Sequence, residues 1–140
     1  MKKQTINPKE LFNSTDFGFS QIVTCSPGKM VFISGQVAWN ENREIIGKGD
    51  LKIQVQQSIE NLKIALKYAN GTLENVVMLR IYVVNYSDEA GEIVGEALRK
   101  NFGAKNPPAS TWLDVTPPHP ALVGAPPAQA LSVTTKPHSL

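Results

Sequence analysis

The sequence predicts an α+β domain: a mixed β-sheet with two helices packed on one face. Three observations carry this expectation. The stretch after Asp50 repeats apolar residues at helical spacing. The run Val76 to Val84 is apolar at alternate and intervening positions alike. Read in order, the candidate elements are strand, strand, helix, strand, helix, strand, strand.

Each element follows from local chemistry. Thr5 to Ser14 reads as an irregular lead-in, and Gln21 to Ser26 as a short strand. Pro27-Gly28-Lys29 is a turn signal. Met30 to Val37 carries Val31, Phe32, Ile33 and Val37, so the spacing predicts a second strand pairing with the first as a hairpin. Asn40 to Gly49 holds turn residues. Asp50 is positioned as an N-cap for a helix whose Val55, Ile59, Leu62, Leu66 and Ala69 form one stripe, with Gln56, Glu60, Lys63 and Lys67 on the other side. Asn70-Gly71 should end it, glycine taking the left-handed conformation. After the central strand Val76 to Val84, a turn and cap at Asn85 to Asp88 lead into a helix over Glu89 to Phe102, with Ile93, Ala97, Leu98 and Phe102 inward and Gly91 and Gly95 weakening it. Strands are expected at Ala109 to Val115 and Ala128 to Thr135. Between them, Pro117, Pro118, Pro120, Pro126 and Pro127 forbid a regular helix or central strand, and a loop of this length is often functional or packed on a neighbour.

Two helices cover one face of a sheet. The central strand is nevertheless apolar on both faces, so the bare face must meet something apolar, and the simplest partner is another copy of the chain.

The composition narrows the function classes. The 140 residues suffice for one compact domain over 1–140, and 41% are apolar. The net charge of +2 is dispersed, which gives no stripe for nucleic acid. The lone Cys25 cannot form a disulfide within the chain and reads as a buried thiol or a reactive one. The first ten residues lack the apolar core of a signal peptide. No apolar run approaches the roughly 20 residues of a membrane span. The cytoplasm is the expected compartment.

No strong catalytic or metal-ligand spacing is present. His119 and His138 read as solvated loop and tail residues, and Gly47-Lys48-Gly49 lacks the spacing of a phosphate loop. Ser34-Gly35-Gln36 places a glycine inside a strong strand, either as a simple bulge or as a point of close approach by a ligand or chain, with the Ser34 hydroxyl beside it. Arg80 lies within the central strand and must bind an anion or pair with a carboxylate on another subunit. Trp112 reads as core or as an aromatic wall. Ser110 and Thr111 can hydrogen-bond a small ligand or the backbone.

In order and spacing, Phe17-Gly18-Phe19-Ser20-Gln21, Val31 to Val37, Asn61-Leu62 with Ala65-Leu66, Leu73 to Val77 and Asn106-Pro107-Pro108-Ala109-Ser110-Thr111 resemble the Rid family, the YjgF-type reactive intermediate deaminases. The resemblance implies a homotrimer with sheets lining a central barrel-like interior and clefts between adjacent subunits. It also implies hydrolysis of small 2-imino acids or enamines to 2-keto acids and ammonia, with no metal or cofactor, and a small molecule as ligand. A non-catalytic trimer that binds metabolites or partner proteins is the second reading. RNA cleavage, attached to some relatives, is disfavoured by the dispersed charge. Family members use an arginine to grip the substrate carboxylate, a glutamate near the last strand, and an aromatic wall from the neighbouring subunit. Here Phe19 stands where many members have tyrosine, and Ser34 and Gly35 match. Ser110 replaces the arginine, Gln129 is the nearest counterpart of the glutamate, and Gly95 lies near a frequent asparagine. Ser34, Gly35, Ser110 and Trp112 are expected to shape the cleft with Phe19, and Arg80 is the candidate substitute charge.

Overall fold

A computed structural model describes residues 2–11, 13–26, 28–115 and 130–135. The six strands are β1 (Lys3–Ile6), β2 (Ile22–Cys25), β3 (Val31–Val37), β4 (Val76–Val84), β5 (Ala109–Val115) and β6 (Ala130–Thr135). Helix α1 spans Leu51–Tyr68 and α2 spans Asp88–Phe102. A four-stranded mixed sheet has the order β3-β6-β4-β5, with β4 parallel to β5 and antiparallel to β6. The expected α+β class holds, with both helices over one sheet face.

The hairpin between β2 and β3 does not form. β2 pairs antiparallel with β1, from Lys3 opposite Cys25 to Ile6 opposite Ile22. β3 pairs instead with β6, which arrives from the far end of the chain. At the start of the expected irregular lead-in, Thr5 and Ile6 therefore belong to a strand that begins at Lys3, while residues 7–11 and 13 are irregular as expected. Two side chains tie β1 to the rest of the fold: Lys3 Nζ donates to the carbonyl oxygens of Val76 at 2.6 Å and Asn106 at 2.9 Å, and Thr5 Oγ1 donates to Asn106 Oδ1 at 3.3 Å.

Burial pushes the Lys3 ammonium down to about 8, and Glu74 opposes the shift. In the unfolded chain a lysine titrates near about 10.4. Between these values the unfolded state binds more protons, so this group's contribution makes stability rise with pH from about 8 to about 10.4. Below that window the penalty for the buried charge is fully present. Urea unfolding at stepped pH should show this rise in the wild type and lose it in Lys3→Met. Equal slopes in the two proteins would refute the assignment.

Helix α1 starts as expected, with Asp50 Oδ1 accepting from the Ile53 amide at 3.0 Å. Val55, Ile59, Leu62 and Leu66 are buried in the core. On the outer side Lys63 bonds Glu60 at 2.8 Å and holds its carboxyl below the usual range. At the helix end Asn70, with φ 57°, takes the left-handed conformation assigned to Gly71. The Gly71 amide then donates to Leu66 O at 2.8 Å and the Asn70 amide to Lys67 O at 3.1 Å, closing a Schellman motif.

Helix α2 begins at Ser87, whose Oγ accepts from the Ala90 amide, and it carries Asp88 and Glu89 at the start and Arg99 and Lys100 at the end, each sign suited to the helix dipole. Of the residues expected inward, Leu98 is in the core and Ala97 and Phe102 pack against it, whereas Ile93 does not join the cluster. Ala90 and Val94 enter the core with Leu98.

Leu79, Ile81 and Val83 of β4 meet this helical layer and are buried. The alternate residues Met78 and Tyr82 are half-buried and Arg80 is exposed. Phe32 on β3 is 76% exposed and Leu113 on β5 is 42% exposed. The sheet thus has one covered face and one open apolar face.

Candidate functional site

β5 is the edge strand next to α2's side of the molecule, and its start is fixed by the segment that precedes β2. A short 3-10 helix, Ser14–Phe17, ends at Gly18 with φ 84°, where a Cβ would meet Leu98 Cβ at 3.2 Å. Two residues later Ser20 donates from its amide to Pro108 O at 2.9 Å and from Oγ to Pro107 O at 2.7 Å. Arg99 Nη1 donates to Asp16 O at 2.8 Å. Half-buried Phe19 is therefore held between α2's end and the turn into β5.

Along that edge runs a groove of about 680 Å³, lined by Asp16, Tyr86, the α2 face from Asp88 to Arg99, and Trp112. Trp112 Nε1 donates to Ser110 Oγ at 3.2 Å, which puts both side chains on the helix side of β5. Gly91 leaves room for the Tyr86 hydroxyl, which would collide with any Cβ there. Five carboxylates (Asp16, Asp88, Glu89, Glu92, Glu96) face a single guanidinium, Arg99. Among the described residues no three His, Cys, Asp or Glu side chains converge as a metal site.

The other expected site residues lie elsewhere. The β3–β6 register slips between Ile33 and Gln36, so Ser34-Gly35 is a β-bulge, braced by Gln36 Nε2 donating to Ser34 O at 2.9 Å. Both residues are exposed, on the opposite sheet edge from β5. Three strand spacings, about 14 Å, separate the two edges. Arg80 pairs in register with Thr111, so its side chain is on the face opposite Ser110 and Trp112. It does not join them as a substitute charge within one protomer. Gln129, the 116–127 proline-rich loop, His119 and His138 lie outside the described residues. Cys25 is half-buried opposite Lys3.

One protomer thus brings together Ser110 and Trp112, and leaves Ser34 and Gly35 on the far edge. The acidic lining was missed from the sequence. Its signal is Asp88, Glu92 and Glu96 at four-residue steps along one helix face, interleaved with Gly91 and Gly95.

Residues 14–121 match the family described as endoribonuclease L-PSP. The chain belongs to this Rid/YjgF/RutC family. A Rid family protein of unknown function from Yersinia pestis shares the fold of this Rid chain with a TM-score of 0.88 and 34% identity, over 97% of this chain and 99% of that one. A RutC family protein of Pyrococcus abyssi is 32% identical over 57% of this chain and 61% of its own length. A 2-iminobutanoate/2-iminopropanoate deaminase of Dermatophagoides farinae is 24% identical over 60% of this chain and 64% of its own length. The match therefore spans about three fifths of these two relatives. Among the described residues no helix of the Rid chain is long and apolar enough to cross a membrane.

Proposed function

We propose that the chain is a Rid-type homotrimer whose clefts, each built from the β5 edge of one copy and the β3 bulge of the next, hydrolyse a small imine or enamine that carries no carboxylate. The observation behind this reading is the split of the site residues. Ser110 and Trp112 occupy one sheet edge, and Ser34 and Gly35 the other. Only two copies can bring the sets together. Covering the open face would bury Phe32, at about 2 kcal/mol, and the exposed part of Leu113, at about 1 kcal/mol. A relative named as a 2-iminobutanoate/2-iminopropanoate deaminase supplies the reaction class.

The groove's charge supplies the substrate preference. Where family members place a carboxylate-gripping arginine, this chain has Ser110, and the adjoining groove carries five carboxylates. A 2-imino acid anion would be repelled there. A neutral imine, or the iminium it forms on protonation, would be attracted and could lie on the Trp112 face. Water adds to the imine carbon as a groove carboxylate takes its proton, and the nitrogen receives a proton. Collapse of the carbinolamine then releases ammonia and leaves the carbonyl compound. Fixing water beside the imine is most of the catalytic task. The same negative lining disfavours RNA, whose phosphates it would repel.

The test is ammonia release from freshly generated imines with and without a carboxylate. The neutral imine should be turned over faster than 2-iminopropanoate. Ser110→Arg should reverse the preference, raising turnover of 2-iminopropanoate by about tenfold or more, as expected for a charged hydrogen bond. Binding of the neutral imine without ammonia release would instead establish a metabolite-binding protein. No binding of either would remove the proposal.

A further inference from the structure

Arg80 raises a charge problem that this chain's own sheet does not solve. Its guanidinium stands at the middle of the open face and has no ion pair or hydrogen bond among the described residues. Strands β3, β4 and β6 contain no aspartate or glutamate. The one acid in β5, Asp114, accepts from the Tyr86 amide at 3.1 Å and shares the helix-side face of Trp112. Beyond Asp114 the sequence has no acidic residue at all, so neither β6 nor the proline-rich loop can bring one. If copies of this same face cover one another, the sheet strands have no carboxylate with which to pair Arg80.

Arginine cannot escape by losing its proton, and burying an unpaired charge is costly. Copies of Arg80 brought near a common axis also repel one another. Beside Arg80 stands a hydroxyl: exposed Thr111 is its register partner on β5. A guanidinium with an exposed hydroxyl beside it is suited to an oxyanion, which takes charge-assisted bonds from the fork and a weaker one from the hydroxyl.

We propose that the open face carries an anion site anchored by Arg80 and Thr111, completed when three copies assemble, which binds one small multivalent oxyanion of the phosphate class per trimer. It rests on the trimeric reading above. It is separate from the cleft, because Arg80 faces away from Ser110 and Trp112. The anion neutralises the converging guanidinium groups and couples assembly to the concentration of the ion.

Sedimentation velocity of the full chain, with calorimetric titration of inorganic phosphate in low-chloride buffer, tests this. The wild type should be a trimer binding one phosphate per three chains, and phosphate should raise its melting temperature. Arg80→Met should remain a trimer, lose phosphate affinity by about tenfold or more, and melt higher than the wild type in chloride because the repulsion is gone. A wild-type trimer without phosphate binding, or an Arg80→Met trimer with unchanged affinity, overturns the anion site and leaves the trimer standing. A wild-type monomer overturns the assembly and the shared site with it. Should Arg80→Met fail to fold, Arg80→Lys and Thr111→Val take its place: both should weaken phosphate binding, and unchanged affinity in both overturns the proposal.

Discussion

Gly35→Trp should abolish turnover, lowering kcat/KM by about 100-fold or more, while leaving the melting temperature unchanged. The two halves of this expectation rest on different facts. Within one protomer a Cβ at Gly35 meets nothing within 4 Å, and the residue sits in an exposed bulge on an edge strand. Open space at the Cβ and exposure on an edge strand leave room for a large side chain to point outward, so the fold should tolerate the indole. In a cleft shared with the next copy, the same indole fills the space the substrate needs. A misplacement of about 1 Å at a positioning group already costs about 100-fold, and a side chain of this size displaces substrate by more. Circular dichroism melting and ammonia release, measured on the same preparation, separate the two effects. Wild-type turnover in Gly35→Trp would place the cleft elsewhere; a large fall in stability would show that Gly35 serves the fold.

The second large effect is on stability. Leu62 is fully buried in the middle of α1, in the cluster that includes Ile59, Leu66, Leu79 and Leu98. Leu62→Ala leaves a cavity where both helices and the central strand meet, and this layer cannot collapse into it without moving an element. The expected loss is about 3 kcal/mol, near the middle of the range for buried leucines. That is a large share of the stability of a domain this size. Urea denaturation should show a lower midpoint with an unchanged slope. A loss under about 1 kcal/mol would mean that the α1–β4 interface is loosely packed. Ile64→Ala is the control, because Ile64 is 57% exposed on the same helix and its truncation should have little effect.

What the sequence made legible was governed by local spacing. The stripe Val55, Ile59, Leu62, Leu66 and the doubly apolar run Val76 to Val84 each define an element through their own periodicity, and both occur where expected. Pairing was another matter. Pro27-Gly28-Lys29 looks like a hairpin turn, yet β3's neighbour is β6, and nothing near residue 30 encodes that partner. β1 was hidden because Lys3-Gln4-Thr5-Ile6 is mostly polar, and its anchor reaches Val76 and Asn106, far along the chain. In α2 the glycines removed the apolar markers that would have fixed the helix's rotation, so Ile93 was read as inward when Val94 is. The site residues were recognisable by type and motif. Their division between two edges and two faces was not, because that depends on strand order and on the parallel register of Arg80 with Thr111. Absent that register, a central arginine reads as a substitute for the one missing at Ser110.

The clefts' shared construction is tested most directly by mixing two variants, each disabled in a different half. Gly35→Trp blocks the β3 half, and Glu92→Lys sets a cation among the four carboxylates left in the β5 groove; each alone should be inactive. After joint unfolding and refolding at equal amounts, random trimers should recover about one quarter of wild-type activity, because that share of clefts takes both intact halves from different copies. Activity that stays at the level of the separate variants, from a mixture shown by mass spectrometry to contain hybrid trimers, would contradict a cleft built between subunits.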